Sequence, residues 1–395
     1  MNTLPTPSDL ELAHSQGLIE LIRAEILAQG PMPFSRFMER CLYAPGLGYY
    51  SAGRTKFGAA GDFVTAPELG SLFAQTIADS LMPCLRQLGP ESDFVELGGG
   101  SGAFAEAAMR AFSDARTLPR SYRILEPSAD LRDRQRERLK NAFPDALFNR
   151  FEWLDRPPED SWRGVLFANE VVDALPTTRF CLREGEVFEE HVVVSSRGEF
   201  EYQDRPADAL TGAAVRHIER DLGSPFADGY RSEVLPQLPY WMQAVLGSLE
   251  AGLALFIDYG YPREFFYLPE RDEGSLVCHY RHRAHADALI LPGLQDITAF
   301  VDFTALAEAG NQAGFAVAGY ASQARFLIAS GLANRFEQSS AGADEVGCYR
   351  LAQEIKRLTL PGEMGEKFNV MLLARDLPEA GLPPGIADID QGFRL

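Results

Sequence analysis

Apolar residues recur at helical spacing in three segments near the N-terminus, residues 18–29, 34–42 and 67–88. The first segment stops at Gly30-Pro31, a pair that commonly ends a helix. Residues 1–90 are therefore predicted to form an N-terminal helical cap and lid ahead of the main sheet.

Short apolar runs then alternate with helical patterns. The runs at residues 94–97, 122–125 and 164–168 have the length of buried strands, and residues 102–112 and 129–141 have helical spacing between them. Strands separated by helices of this size predict parallel β-α units and a doubly wound, Rossmann-like α/β sheet. Residues 91–178 are predicted to form the first part of this core.

The pattern changes after Pro176. Residues 179–202 alternate apolar and polar positions around turns at Gly185 and Gly198, which predicts an antiparallel hairpin or a three-stranded meander. A helical region follows, so residues 179–250 are predicted to form an inserted α+β subdomain.

The β-α pattern resumes in the last third of the chain. Residues 253–260 are predicted to form a strand and residues 304–313 a helix, and the apolar segment 367–375 is a candidate final strand. Residues 251–395 are therefore predicted to complete the core.

The composition is that of a globular protein, with 46% hydrophobic and 24% charged residues. Lys and Arg total 37 against 56 Asp and Glu, which gives a formal net charge of -19. A chain this acidic repels phosphate backbones, so nucleic acid is not an expected partner, whereas a cationic partner would suit it. No apolar run reaches the length of a membrane span, so membrane insertion is not predicted either.

The five cysteines are far apart and form no C-x-x-C pair, which favours reduced, mostly buried thiols in a reducing compartment. The N-terminal segment lacks the features of a secretory signal, and it carries acids but no arginine before Arg23. We therefore expect a cytoplasmic protein. The spacing of His279, His282 and His285 does not keep all three on one face of a strand or helix, so a loop is predicted there rather than a metal site.

The strongest signal of a binding site is the turn Gly98-Gly99-Gly100-Ser101-Gly102, between a predicted strand and a predicted helix. Glycines there let a ligand approach the backbone and allow positive φ angles. The helix that follows presents unpaired N–H groups and the positive end of its dipole.

This turn fits two cofactors. Read from Gly98 to Ala103 it matches the dinucleotide pattern G-x-G-x-x-G/A, and read from Gly98 to Gly102, with Glu96 ahead of it, it matches methyltransferases that bind S-adenosylmethionine. Either cofactor needs an acid for its ribose hydroxyls after the next strand, where Glu126 stands. Glu96 and the late final strand favour S-adenosylmethionine, and an NAD-dependent oxidoreductase remains the alternative.

Asn169, Glu170 and Asp173 follow the predicted strand 164–168, at the edge where open α/β sheets bind ligands. A carboxylate there could hold a cationic nitrogen nucleophile and take up its proton. Arginine would need such help, because its pKa of about 12.5 leaves the guanidinium a poor nucleophile until it is deprotonated. The structural alternative is that Asn169 caps a helix and Asp173 is solvated.

Asp62 and Phe63 precede the first core strand and are predicted to close over the cofactor or substrate, with Phe63 packing on it. The alternative is that Asp62 and Thr65 cap a helix that starts near Pro67.

With these residues the chain resembles the MidA-like family of S-adenosylmethionine-dependent methyltransferases. The resemblance covers residues 30 to 305 in separated segments: Arg36-Phe37-Met38 through Gly48-Tyr49-Tyr50, Gly61 to Thr65, Glu96 to Gly102, Asn169 to Pro176, Asp258-Tyr259-Gly260 and Asp296 to Phe303.

The resemblance implies a class I methyltransferase sheet with an antiparallel final strand, and S-adenosyl-L-methionine as cofactor. The family includes a mitochondrial protein arginine methyltransferase needed for assembly of respiratory complex I. The resemblance thereby suggests that the methyl acceptor is an arginine of a protein, and that this protein is a subunit of complex I. Formation of a homodimer and the role of a catalytically silent assembly chaperone both stay open.

The predicted site residues are of two kinds. Those expected to bind or enclose the cofactor are Glu96, Gly98, Gly100, Gly102, Glu126, Asp62 and Phe63, and those expected to act on the nucleophile are Asn169, Glu170 and Asp173.

Overall fold

The computed structural model describes residues 4–51 and 65–395, which divide into two compact units. The first unit contains residues 4–51, Asp173–Gln237 and Tyr261–Phe300, and the second contains residues 65–172, Leu238–Gly260 and Val301–Leu395. The predicted segments 1–90 and 179–250 therefore each contribute to both units.

The strands, numbered in chain order, are β1 Met32–Pro33, β2 Asp93–Leu97, β3 Tyr122–Leu125, β4 Phe151–Leu154, β5 Trp162–Asn169, β6 Thr178–Arg183, β7 Glu186–Val194, β8 Phe200–Pro206, β9 Arg231–Val234, β10 Leu249–Tyr261, β11 Val277–Tyr280, β12 Arg283–His285, β13 Asp296–Thr298, β14 Val301–Asp302, β15 Ala316–Ser322 and β16 Phe368–Arg375.

The α-helices are α1 Asp9–Gln29, α2 Phe34–Tyr43, α3 Ala66–Leu69, α4 Leu72–Leu88, α5 Ala103–Asp114, α6 Ala129–Ala142, α7 Asp145–Phe148, α8 Ala209–Leu222, α9 Leu238–Leu246, α10 Arg263–Phe266, α11 Phe303–Gln312, α12 Gln323–Ala329, α13 Leu332–Ser340, α14 Glu345–Thr359, α15 Met364–Lys367 and α16 Ile386–Ile389.

The second unit contains the predicted doubly wound sheet. Its strands run in the order β15-β16-β10-β5-β2-β3-β4, with β14 added beside β10. The strands from β10 to β4 are mutually parallel, whereas β16 is antiparallel to both of its neighbours. The parallel sheet and the antiparallel final strand are thus confirmed.

The strands of this sheet are almost continuously apolar because helices cover both faces. All five residues of β2 are buried, and aromatic rings fill the space between β2, β5 and α5. The rings of Phe104 and Phe167 stack with centroids 4.0 Å apart, and Phe94 stacks on Tyr122 at 4.8 Å.

The first unit is built on antiparallel strands. A sheet in the order β1-β7-β6-β9, with β8 paired to β7, contains the predicted meander of β6, β7 and β8. A second sheet, β12-β11-β13, corrects the prediction of a loop, because His279 lies on β11 and His285 on β12.

One predicted helix is divided in two. Instead of one helix over residues 67–88, α3 ends at Leu69 and α4 begins at Leu72. The carboxylate of Glu354 accepts hydrogen bonds from the N–H groups of Leu72 and Phe73, at 2.8 and 3.3 Å. This distant acid therefore caps α4 and fixes its start, a contact that no local pattern reveals.

Four of the five cysteines are buried, and all five are free thiols. In the part of the chain that the structure describes, no helix is long and apolar enough to cross a membrane.

Candidate active site

Three strands bring the predicted cofactor residues to one edge of the sheet. In the register of the parallel strands, Leu97 at the end of β2 lies between Leu125 of β3 and Ala168 of β5. The residues that follow these positions therefore emerge side by side at the carboxyl edge. The strand order reverses between β2 and β5, which is where open α/β sheets bind ligands.

The glycine turn has the backbone that the sequence predicted. Gly98, Gly100 and Gly102 have φ angles of 67°, 52° and 80°, a region that side chains disfavour. The N–H of Gly98 donates to the carbonyl of Leu125 at 2.9 Å, which joins the turn to β3. Because α5 begins at Ala103, the turn leads directly into a helix N-terminus that can face a ligand.

Gly99 serves packing within the protein. A Cβ atom at this position would lie 2.7 Å from Ile124 Cγ2 and 3.0 Å from the side-chain nitrogen of Gln135. Such contacts are closer than side chains tolerate, so only glycine lets the turn rest on β3 and α6.

Glu126 lies directly after β3 and is buried. One of its carboxylate oxygens accepts from the N–H of Ser128 at 3.0 Å, and the other accepts from the side-chain amide of Gln135 at 3.2 Å. Both donors stabilise negative charge at the position where the sequence predicts ribose binding.

Glu96 is buried in β2, where the hydroxyl of Tyr122 donates to its carboxyl group at 2.8 Å. Loss of hydration raises the pKa of Glu96, the Tyr122 hydrogen bond lowers it and the nearby charge of Glu126 raises it, and the result is a pKa of about 8. Glu96 therefore holds a proton at neutral pH.

A tight turn after β5 carries Glu170, whose φ angle is 54°. The N–H of Glu170 donates to the carbonyl of Ile257 at 2.9 Å. The buried carboxylate of Asp258 accepts from the N–H groups of Val171 and Val172 at 3.2 and 3.0 Å. Asp258, which lies near the end of β10, therefore fixes this turn.

The turn after β5 lies against the glycine turn. A Cβ atom on Gly98 would come within 3.1 Å of Val171 Cγ2, so the two turns meet closely. Asn169, the last residue of β5, donates from its side-chain amide to the carboxylate of Glu170 at 3.0 Å. Its side-chain oxygen is buried and has no hydrogen-bond partner among the residues that the structure describes, as expected of a group that awaits a ligand.

Asp173 belongs to the first unit. Its side chain is buried. The pKa of Tyr50 is raised mainly by the burial of Tyr50, and the charge of Asp173 contributes to the same effect. The Tyr50 hydroxyl donates to both oxygens of Asp296, at 3.0 and 3.1 Å, and its ring stacks on Tyr43 with centroids 5.6 Å apart. Asp173 thus lies in a setting of carboxylates and tyrosine rings, and the structural alternative in which it is solvated is excluded.

Asp62 and Phe63 lie outside the described residues, so their predicted role as a lid stays a prediction. The described segment that follows them is tied to the glycine turn, because the hydroxyl of Ser101 donates to the carboxylate of Glu68.

Two residues that donate hydrogen bonds to the acids Glu96 and Glu126 were not identified from the sequence. Tyr122 begins β3 and resembles any buried aromatic residue, although it contacts Glu96. Gln135 could have been noticed, because it replaces an apolar residue in the buried stripe of Leu131 and Leu139 on α6.

The residues present fit S-adenosylmethionine. The positive-φ glycines lead into a helix N-terminus, the acid Glu126 follows the adjacent strand, and Asn169, with its unsatisfied amide oxygen, ends the strand on the other side. Together with the sheet order and the antiparallel final strand, these features define the class of S-adenosylmethionine-dependent methyltransferases.

Comparison with known proteins gives the same class. Residues 76–321 match the model of the family described as "Putative S-adenosyl-L-methionine-dependent methyltransferase". The fold is similar to a crystal structure from Burkholderia thailandensis with bound S-adenosyl-homocysteine, with a TM-score of 0.91, 39% identity and coverage of 100% of both chains. The chain belongs to this methyltransferase family, its cofactor is S-adenosyl-L-methionine, and the NAD-dependent alternative is not favoured.

Curated relatives are more distant in sequence. "Protein arginine methyltransferase NDUFAF7 homolog, mitochondrial" from Drosophila melanogaster is 27% identical, with coverage of 93% of this chain and 86% of the relative. The human "Protein arginine methyltransferase NDUFAF7, mitochondrial" is 26% identical, with coverage of 91% and 83%.

These relatives correct one prediction from the sequence. The expected cytoplasmic location is contradicted, because the curated relatives are named as mitochondrial proteins. The prediction relied on the composition of the N-terminal segment and on cysteines without disulfides, and the cysteines do not distinguish one reducing compartment from another.

Proposed function

We propose that this methyltransferase transfers a methyl group to a nitrogen of an arginine in a protein substrate, with Glu170 as the group that orients and deprotonates the guanidinium. The observation that carries the proposal is the left-handed backbone of Glu170, a residue other than glycine, at the cofactor edge of the sheet. Such a conformation costs about 1–3 kcal/mol and persists only where its surroundings enforce it, most often at functional sites.

The surroundings of Glu170 explain how the strain is maintained. Its N–H is bonded to the carbonyl of Ile257, and the next two N–H groups are bonded to Asp258. The side-chain amide of Asn169 holds one carboxylate oxygen. The direction of the Glu170 carboxylate is therefore set before substrate binds, which is what proton abstraction at a defined atom requires.

The choice of arginine rests on two arguments. The curated relatives are named as protein arginine methyltransferases. A carboxylate also matches a guanidinium well, since it accepts two parallel N–H bonds and stabilises the cation before a proton is removed.

When bound, S-adenosylmethionine supplies an electrophilic methyl group on its sulfonium. Glu170 would orient the arginine nitrogen toward that methyl carbon and would receive the proton that the nitrogen loses when its bond to carbon replaces the carbon–sulfur bond. Asp173 is proposed as a second carboxylate for the guanidinium, in keeping with the aromatic rings of Tyr43 and Tyr50 near it.

The cofactor residues are proposed to act as follows. Glu126 holds the ribose hydroxyls, Glu96 and the glycines Gly98, Gly100 and Gly102 shape the cleft, and Asp62 with Phe63 closes it. The family resemblance further suggests a subunit of respiratory complex I as the protein substrate.

The test is transfer of a tritium-labelled methyl group to dissociated complex I subunits, with methylated arginine identified by mass spectrometry. Glu170→Gln should lower transfer by about 100-fold or more, the usual contribution of a general base, and should leave S-adenosyl-homocysteine affinity nearly unchanged. Glu184→Gln is the matched control, because Glu184 is also a glutamate with positive φ, at 51°, but lies in the β6–β7 turn.

Full transfer by Glu170→Gln would remove its assigned role. Absence of arginine methylation by the unaltered protein, with S-adenosyl-homocysteine binding intact, would contradict the proposal and favour an assembly chaperone without turnover.

A further inference from the structure

A glutamine occupies the buried stripe of α6. Leu131, Gln135 and Leu139 are spaced four residues apart and face the interior, and the Gln135 side chain is fully buried. Burying an amide costs free energy unless all its polar atoms find partners, so an amide among leucines needs an explanation.

The Gln135 amide makes three hydrogen bonds. Its nitrogen donates to the carbonyl of Gly100 at 2.9 Å and to the carboxylate of Glu126 at 3.2 Å, and its oxygen accepts from the indole N–H of Trp153 at 3.0 Å. Both N–H donors of the amide are therefore used. They connect the glycine turn, at Gly100, to Glu126, the acid proposed to bind the ribose.

The chemistry of these partners selects glutamine. A carbonyl and a carboxylate must both receive N–H donors from one side chain, while the indole must find an acceptor on the same side chain. A primary amide supplies this set, whereas a glutamate lacks the donors and a methionine of similar shape lacks all but a weak acceptor.

We propose that Gln135 is a positioning residue for cofactor binding, which holds the Glu126 carboxylate at a set distance from the glycine turn. This inference rests on the proposed role of Glu126 in binding the ribose. Gln135 acts through Glu126, and its bond to the carbonyl of Gly100 anchors the amide, so its loss weakens cofactor binding by releasing the acid from its bound position.

The experiment is a double-mutant cycle on S-adenosyl-homocysteine affinity, measured by calorimetry up to millimolar ligand. The proteins are the unaltered chain, Gln135→Met, Glu126→Ala and the double variant. Gln135→Met should weaken binding by about 10-fold or more, the usual effect of losing a hydrogen bond to a charged group. In the Glu126→Ala background the same change should cost no more than about 2-fold, because residues that act through one another are not additive.

Gln323 supplies a matched control. It is also a fully buried glutamine of the second unit, on α12 after β15, and its amide donates to the carbonyl of Leu358 at 3.2 Å. Gln323 follows β15, whereas Gln135 is bonded to Trp153 of β4, and these two strands form opposite edges of the sheet. Gln323→Met should therefore lower the melting temperature without changing the affinity for S-adenosyl-homocysteine.

A second variant provides a readout that loss of packing would not give. Gln135→Glu keeps the shape but places a second carboxyl group beside Glu126, and two such groups share a proton at low pH and repel once both ionise. Its affinity for S-adenosyl-homocysteine should therefore fall with rising pH more steeply than that of the unaltered protein. This measurement decides the matter if Gln135→Met does not fold.

The outcomes separate the two proposals. Unchanged affinity in Glu126→Ala would overturn the ribose-binding role of Glu126. Weak binding by Glu126→Ala with unchanged affinity in Gln135→Met, additive losses in the double variant, or a pH profile of Gln135→Glu parallel to that of the unaltered protein would overturn the positioning role of Gln135.

Discussion

Burial of the Glu96 carboxyl group makes the stability of the protein depend on pH. Glu96 is an acid in a strand whose residues are all buried, and it has a tyrosine hydroxyl as partner instead of a cation. Under these conditions protonation is the least costly way to bury the carboxyl group, which explains its raised pKa.

Glu96 should make the protein less stable as pH rises. Its pKa is about 8 in the folded chain against 4.5 ordinarily, so the folded chain retains a proton that the unfolded chain releases between these values. Its favourable contribution is fully present below pH 4.5 and is lost as pH rises to about 8, with a slope of at most about 1.4 kcal/mol per pH unit.

Urea denaturation across this pH range should show a shallower decline for Glu96→Gln than for the unaltered protein. Tyr122→Phe removes the hydrogen bond that lowers the Glu96 pKa, so it should extend the decline to higher pH. Parallel curves for the unaltered protein and Glu96→Gln would show that Glu96 does not titrate in this range.

At the scale of the elements, the strands at the centre of the sheet approach so closely that two positions require glycine. Gly164 of β5 and Gly252 of β10 are paired in register, with φ angles of 146° and 147°. A Cβ atom on Gly252 would lie 1.9 Å from the Gly164 carbonyl oxygen, and one on Gly164 would lie 1.9 Å from that of Asp93. Glycine within an apolar strand often marks such a contact.

Gly252→Ala should therefore lower the free energy of unfolding by about 3 kcal/mol or more, since it combines backbone strain with overlap against an adjacent strand. Gly212→Ala is the control, because this position in α8 has no atom within 4 Å of an added Cβ, and alanine there should stabilise by up to about 1 kcal/mol. Denaturation midpoints in urea measure both changes. Equal, small effects of the two substitutions would contradict the assigned strain.

At the scale of the whole molecule, the net charge of -19 determines which partners are attracted. The 56 acidic residues outnumber the 37 Lys and Arg residues, so the protein as a whole repels the phosphate backbone of a nucleic acid.

We expect no binding of duplex DNA or single-stranded RNA in filter-binding assays at physiological ionic strength. Lowering the salt should not produce binding, because weaker screening increases the repulsion. Nucleic-acid binding whose affinity falls with added salt would reveal a basic surface that the net charge conceals.

The sequence alone determined the elements whose signals are local. The strand predicted at 122–125 has the same bounds as β3, and the glycine turn and Glu126 follow from spacing and from the conformational freedom of glycine. The strands β9 and β11 to β13 were missed, because they are three or four residues long, which is too short to show a clear periodicity of their own.

Only the tertiary structure decided how the chemical groups at the cofactor edge are held. The cap from Glu354 to α4, the support of the Glu170 turn by Asp258 and the Gln135 bonds to Gly100 and Glu126 join residues from separate segments. Periodicity and turn chemistry act over a few residues, so they specify where a strand ends. Which side chains meet at that end depends on strand order and register, and these are set when the whole core packs.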